Sequence, residues 1–346
     1  MRQLEITGAG AVRWSEAAAP GLQGDGEALV RPLAVAMCDL DAVFLSGTIP
    51  VGEPFPLGHE CVGEVIEVGD AVRDFVPGDV VVVPFQISCG ACVACAAGRT
   101  GSCEAVPRGS AYGMQPFGGD WGGALADVIR IPFADAMLVP LGDGLDPVAV
   151  ASVADNVPDG YRAVAVPLAQ APGAEVLVVG GSARSVGLYA AACAKALGAE
   201  RVVYADAEPG QLERAAALGV EPVEVPRGED GAPAWPLKFG RFPITVDASG
   251  DHGGLHAALR STAPDGTCTG VAIYFEQTTP LPLLEMYTRG CTLHTGRCHA
   301  RALIPEVLAL IGDGRLDPAL VTSAVVGFDD AEAALAEPPT KLILVP

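Results

Sequence analysis

Four cysteines fall within fifteen residues, in the spacing Cys89-x2-Cys92-x2-Cys95-x7-Cys103. Thiolates this close along a chain can enclose one tetrahedral Zn²⁺, a closed site with no position left for substrate. Two other readings use the same residues. Ferredoxin-type clusters also take closely spaced cysteines, but their bacterial run has a shorter last gap and a following proline, whereas Cys103 is followed by Glu104. A disulfide pair is the third reading, and the spacing ranks it with the cluster below zinc. A closed zinc site would hold a lobe in shape and do no chemistry.

A second set is dispersed: Cys38 and the segment Gly58-His59-Glu60. A thiolate and an imidazole separated by a β-rich segment can converge on one Zn²⁺, and a third protein ligand would leave the fourth corner open for chemistry. A single histidine is more often a packing or surface residue. His59 gains weight from its surroundings, Gly58-His59-Glu60-x2-Gly63-x5-Gly69, where glycines fall as tight strands require.

The third set is a glycine-rich turn, Gly180-Gly181-Ser182-Ala183-Arg184-Ser185-Val186-Gly187, between an apolar run and an alanine-rich one. Strand, turn and helix in that order are the context of a dinucleotide fingerprint, although this turn is longer than G-x-G-x-x-G. Its backbone N–H groups and the helix start can receive a pyrophosphate. Asp206 closes the next apolar run nineteen residues after Gly187, close to the ~20 expected for a carboxylate on the adenosine ribose diol. A carboxylate there repels a 2′-phosphate, which favours NAD over NADP. Arg184 pulls the other way, because a cation in the turn can meet either a pyrophosphate or a 2′-phosphate.

The elements that must position these residues divide the chain in two. At 346 residues it is long enough for two ordinary domains. Up to about residue 150, short β-branched runs (62–68, 80–83) alternate with turns such as Pro77-Gly78-Asp79, the pattern of a barrel-like β domain. Beyond residue 174, strands expected at 175–180, 201–206, 222–225, 244–247 and 267–273 alternate with helices at 185–197 and 209–218, as in a doubly wound parallel sheet. Residues 227–239 read as a loop, 302–311 as a helix, and 341–345 as a strand able to return to the first domain. Cys193, Cys268, Cys291 and Cys298 lie in apolar or mixed stretches and read as packing residues.

Forty-two acidic against 21 basic residues give a net charge of −21. That surface repels phosphate backbones, so nucleic acid is excluded as a partner. No apolar run reaches the ~20 residues of a membrane span, and the start at Met1-Arg2-Gln3 opens no signal-peptide core. A cytoplasmic location with no membrane partner is the expectation.

Taken together, Cys38, Gly58-His59-Glu60, Pro77-Gly78-Asp79, the four-cysteine lobe and the nucleotide-binding half resemble the zinc-containing alcohol dehydrogenases of the medium-chain dehydrogenase/reductase superfamily, nearly end to end. The resemblance implies an α/β protein with a GroES-like β-barrel catalytic domain (1–155 and 291–346, with the zinc lobe at 89–103) and a doubly wound Rossmann domain (156–290). It implies two zinc ions per chain, NAD in preference to NADP, and a homodimer or homotetramer. Cys38 and His59 match the first two catalytic zinc ligands, and Asp155 stands where the third, commonly cysteine, is expected. A carboxylate binds Zn²⁺ well and carries the charge of a thiolate; the competing reading of Asp155 is a helix cap. Glu60 matches a carboxylate that supports the zinc or exchanges with water as a ligand. Asp41 matches an acidic residue that orients His59, and Phe85 one that lines the substrate pocket. Trp121 and residues 291–299 are further candidates for its walls, and Asp247-Ala248-Ser249-Gly250 resembles the segment on the adenine side of the cofactor.

One position departs from the family pattern. Two residues after the first ligand, the family's serine or threonine passes the alcohol proton toward solvent; here Leu40 has no hydroxyl. Either the proton travels through Asp39, Glu60 or water, or the reaction is another one. The implied function is zinc-dependent hydride transfer between a small alcohol or carbonyl compound and a nicotinamide. The alternatives are reduction of a double bond conjugated to a carbonyl, aldehyde oxidation, and a zinc- and nucleotide-binding protein without turnover.

Overall fold

The computed structural model describes residues 1–346 except positions 9 and 53, and the backbone alone at position 116. Contacts divide the chain into two units: residues 1–158, 298–312 and 322–346, and residues 159–297 and 313–321.

The first unit is built on a seven-stranded sheet and a three-stranded one. Its central strand, Ala28–Ala36, pairs antiparallel with Glu60–Val68 on one side and with the C-terminal strand Leu342–Val345 on the other. Ala36 lies opposite both Glu60 and Ile343. The two registers therefore bring the chain leaving at Met37-Cys38, the segment entering at His59, and Lys341 to the same end of the sheet. The strands bury nearly everything they carry, including Val30, Ala34, Val35, Val62, Val65 and Val81–Val83, as β-branched runs do when both faces are covered. The return of the C-terminus to this sheet agrees with the expectation for residues 341–345.

The second unit carries six parallel strands in the order Glu221–Glu224, Val202–Asp206, Val176–Val179, Phe242–Asp247, Thr262–Gly270, Thr292–Thr295. The helices Arg184–Ala196 and Pro209–Ala217 follow the strands expected before them. Three boundaries differ from the sequence reading, the smallest at residues 156–158, which lie outside this unit. Residues 291–297 belong to this unit and not to the first, because Thr292–Thr295 extends its sheet beside Thr262–Gly270. That strand, sequence TLHT, is too short and too exposed to show period-two burial, which is why it is hard to read from sequence. Residues 313–321 also group with the second unit. Among the described residues, no helix is long and apolar enough to cross a membrane.

Candidate metal and nucleotide sites

Cys38 is the N-cap of the helix Asp39–Leu45, with extended backbone angles. Its Sγ accepts from Leu40 N–H at 3.5 Å, and its own N–H donates to Asp41 Oδ2 at 2.8 Å. This reciprocal cap locks the first turn. It also aims the other Asp41 oxygen at His59, whose Nδ1 lies 3.4 Å from Asp41 Oδ1. Asp155 sits just past the short 3₁₀ turn Ala151–Ala154, which the hydrogen bond from Phe85 N–H to Ala154 O anchors to the barrel. Its Oδ2 lies 3.4 Å from His59 Nε2.

Cys38, His59, Glu60 and Asp155 each offer one ligand atom, and these atoms all lie within 4.8 Å of one another. His59 is fully buried, yet neither ring nitrogen has a partner in hydrogen-bond geometry; Glu60 Oε2 and Asp41 Oδ1 are in the same position. Buried polar atoms are rarely left so, and an ion is among the few explanations. A thiolate, an imidazole and carboxylates are the donor types that suit zinc. Burial, reinforced by the Asp155 charge, pushes the Cys38 thiol up to about 12. Burial opposes the charged form of His59, but Asp41 and Asp155 outweigh it and hold its pKa well above the usual value. Burial also lifts Glu60 to about 7 against the pull of Lys341. Without a cation, the cluster thus retains protons that an isolated set would lose.

In the lobe, the sulfurs of Cys89, Cys92, Cys95 and Cys103 also lie within 4.8 Å of one another, and all ten cysteines are free thiols. Backbone N–H groups point at the sulfurs: Cys92 to Cys89 Sγ, Cys95 and Glu104 to Cys92 Sγ, and Cys89 to Cys103 Sγ, each at 3.4 Å. The donors from Glu104 and Cys95 bring Cys92 down to about 6. Four convergent sulfurs with amide donors fit one closed tetrahedral ion. Of the four cysteines expected to pack, Cys193 and Cys268 are completely buried, Cys298 is buried and Cys291 is half-buried.

The glycine-rich turn joins the strand Val176–Val179 to the helix Arg184–Ala196, which starts without a side-chain cap. Gly181 has φ 147°, and a Cβ there would come within 2.5 Å of Ser249 O; one on Gly180 would come within 2.3 Å of Asp206 Oδ2. Both positions thus need glycine because the turn packs directly against Ser249 and Asp206. Ser182 and Ala183 donate their N–H groups to Ser249 O and Ala248 O, which fixes the turn to the neighbouring strand end. Asp206 is only 1% exposed; Oδ1 accepts from Glu208 N–H at 2.9 Å and Oδ2 from Tyr204 OH at 3.1 Å.

Residues 24–143 match the family model "Alcohol dehydrogenase GroES-like domain", and residues 185–313 match "Zinc-binding dehydrogenase". Among curated proteins, the chain is 32% identical over 331 residues to "Probable zinc-binding alcohol dehydrogenase Rv1895" of Mycobacterium tuberculosis, covering 96% of this chain and 83% of that protein. It is 31% identical to the NADP-dependent isopropanol dehydrogenase of Thermoanaerobacter brockii, over 96% of this chain and 95% of that one. Among solved structures, alcohol dehydrogenase TADH from Thermus sp. ATN1 superposes with a TM-score of 0.86 at 32% identity, over 100% and 99% of the two chains.

The chain belongs to the zinc-containing alcohol dehydrogenases of the medium-chain superfamily. It is an oxidoreductase of that family, with its GroES-like and Rossmann-type parts. Of the residues expected to act, the structure gathers Cys38, His59, Glu60 and Asp155, sets Asp41 behind His59, and packs the Phe85 ring 5.8 Å from the imidazole. Trp121 donates its Nε1–H to Gly118 O at 3.1 Å. Sequence reasoning missed two residues of the same cluster, Asn156 and Lys341. Asn156 is adjacent to Asp155, and Lys341 is a lone cation opening the apolar run LILV; that misplaced charge was the available signal.

A cation entering at Cys38 must displace the proton that the raised thiol pKa retains. Below about pH 12, zinc uptake by the metal-free dehydrogenase therefore releases that proton, and affinity climbs about tenfold per pH unit from this group alone. Protonated His59 adds to the slope below its own raised pKa. Calorimetry in buffers of different ionisation enthalpy, with the lobe already filled, measures the protons; an affinity independent of pH from 7 to 9 would contradict the picture.

Proposed function

We propose that this dehydrogenase interconverts a small alcohol and its carbonyl compound with a nicotinamide cofactor, using zinc held by Cys38, His59 and Asp155. The observation that carries the reading is the convergence of a thiol, an imidazole and carboxylates around a fully buried histidine, neither of whose nitrogens makes a hydrogen bond in good geometry. Held by three protein ligands, such an ion would remain open to substrate and would supply Lewis acidity there. Asp41 holds the His59 ring, and the Phe85 ring packs against it at a tilt of 52° and lines the substrate pocket. Glu60, tied through Oε1 to Lys341 and with Oε2 unpartnered, is the group in the cluster suited to take the alcohol proton that Leu40 cannot relay. A second zinc would be held in the lobe by Cys89, Cys92, Cys95 and Cys103.

The nucleotide is bound by the turn Gly180, Gly181, Ser182, Arg184, Ser185, Val186 and Gly187, with the helix start toward the pyrophosphate. NAD is the favoured cofactor because of Asp206, although one relative is named as NADP-dependent. Asp206→Ser removes the charge that repels a 2′-phosphate and is expected to raise the ratio of kcat/KM for NADP over NAD about tenfold or more. An unchanged ratio would show that Asp206 does not read the ribose. Self-association is also part of the reading. The helix Leu283–Arg289 buries none of its residues and exposes Leu283, Leu284 and Tyr287, just before the edge strand Thr292–Thr295 in sequence. An exposed apolar helix and an unpaired sheet edge suit a second copy.

Absorbance at about 340 nm with each nicotinamide and a panel of primary, secondary and polyhydroxy alcohols, then with aldehydes and ketones, tests the main reading. Silence in both directions with both metal sites filled would favour a nucleotide-binding protein without turnover.

A further inference from the structure

Lys341 is fully buried, and its Nζ donates to Met37 O at 2.9 Å, Glu60 Oε1 at 2.7 Å and Asn156 Oδ1 at 2.7 Å. An ammonium group has donors only, so it dictates which way the Asn156 amide points: oxygen to Lys341, nitrogen to the opposite side. There Nδ2 lies 3.2 Å from Cys38 Sγ and 3.0 Å from Asp155 Oδ2. The two N–H bonds of one amide thus reach both Cys38 and Asp155. Asn156 is itself only 1% exposed, so these bonds form away from water.

We propose that Asn156, oriented by Lys341, is a positioning residue for the catalytic metal: it fixes Cys38 and Asp155 and withdraws electron density from both ligands. This rests on the reading that Cys38, His59 and Asp155 hold the metal. A hydrogen bond accepted by a ligand sulfur or oxygen weakens its donation, which leaves a bound ion more electrophilic, and it limits the orientations the ligand samples. An apolar residue at position 156 would forfeit both effects and leave one Lys341 proton buried without this acceptor.

The test uses protein with zinc in the lobe and Co²⁺ in the second site, and the Cys38→Ser protein treated identically as the blank. The difference spectrum of the unmodified protein should show a thiolate-to-cobalt charge-transfer band. If it shows none, the metal reading itself falls. With the band present, Asn156→Leu should move it to lower energy, because the sulfur has lost a donor, and should speed cobalt loss to a chelator about 10- to 100-fold. Lys341→Met, which frees the amide to turn, should shift the band in the same direction. Asn156→Asp keeps the shape and serves if the leucine variant does not fold; it replaces the donor by an acceptor and should shift the band at least as far. Fully loaded variants whose band stays at the original energy and whose cobalt leaves at the original rate would overturn the assignment. A purely structural role for Asn156 would lower stability without moving the band.

Discussion

Asp155→Ala is expected to cut zinc content from about two ions per chain to about one and to lower turnover by ~10³-fold or more. The physical reason lies in the cluster's charge. Cys38 and Asp155 together neutralise a divalent ion, and His59 supplies no charge when it acts as a ligand. Without the carboxylate, a buried cation faces one thiolate across His59, and the thiol is already reluctant to ionise, with its pKa pushed up to about 12. Glu60 offers a substitute oxygen, but Lys341 holds its Oε1 at 2.7 Å and competes for it. Asp155→Asn separates shape from charge: it keeps the contact with His59 and should still lose most of the metal. Metal analysis after dialysis, with steady-state rates on the same samples, measures both. Full zinc content and unimpaired turnover in the alanine variant would remove Asp155 from the ligand set.

Losing the lobe should have the opposite signature. Cys103→Ser takes away the sulfur that closes the loop and is expected to lower the melting temperature by roughly 10–20 °C, the counterpart of ~4–5 kcal/mol. The lobe has little apolar core of its own: Ala94, Cys95 and Thr100 are its buried residues between Cys89 and Cys103. Its form depends on sulfurs and on amide donors that point at them. The loss should spread through two polar links into the same unit: Gly101 N–H donates to His299 Nδ1 at 3.1 Å, and Gln86, three residues before Cys89, donates to Cys298 O and accepts from Ala300 N–H. Zinc content again falls by about one ion, but here the thermal transition moves and the remaining active fraction keeps its rate. A calorimetric scan compared with that of the Asp155→Ala protein distinguishes the two sites; equal melting temperatures for Cys103→Ser and unmodified protein would mean the lobe needs no metal.

The contrast between those sites also explains what could be read without coordinates. The lobe's ligands are neighbours in sequence, so spacing alone constrains them to meet. Cys38 and His59 are separated by 21 positions, and Asp155 by 96 more; there the family resemblance was needed to nominate the third member. The parallel strands were legible because fully buried β-branched runs such as Val176–Val179 carry a strong signal. Thr292–Thr295 was not, since a short exposed edge strand draws its identity from its neighbour, Thr262–Gly270, and not from its own residues.

The sequence by itself determined the two chemistries, a four-thiolate lobe and a glycine turn before a helix, because both are local and their geometry follows from spacing and φ/ψ freedom. It also determined the family, through motifs spread over the whole chain. Only the tertiary structure decided what surrounds the second metal set. Sheet register puts Ala36 opposite both Glu60 and Ile343, and so carries Lys341 beneath Cys38 from the far end of the chain. Lys341 in turn settles the direction of the Asn156 amide. No periodicity encodes such a contact, because a buried lysine is tolerated only where three acceptors from distant segments happen to meet it.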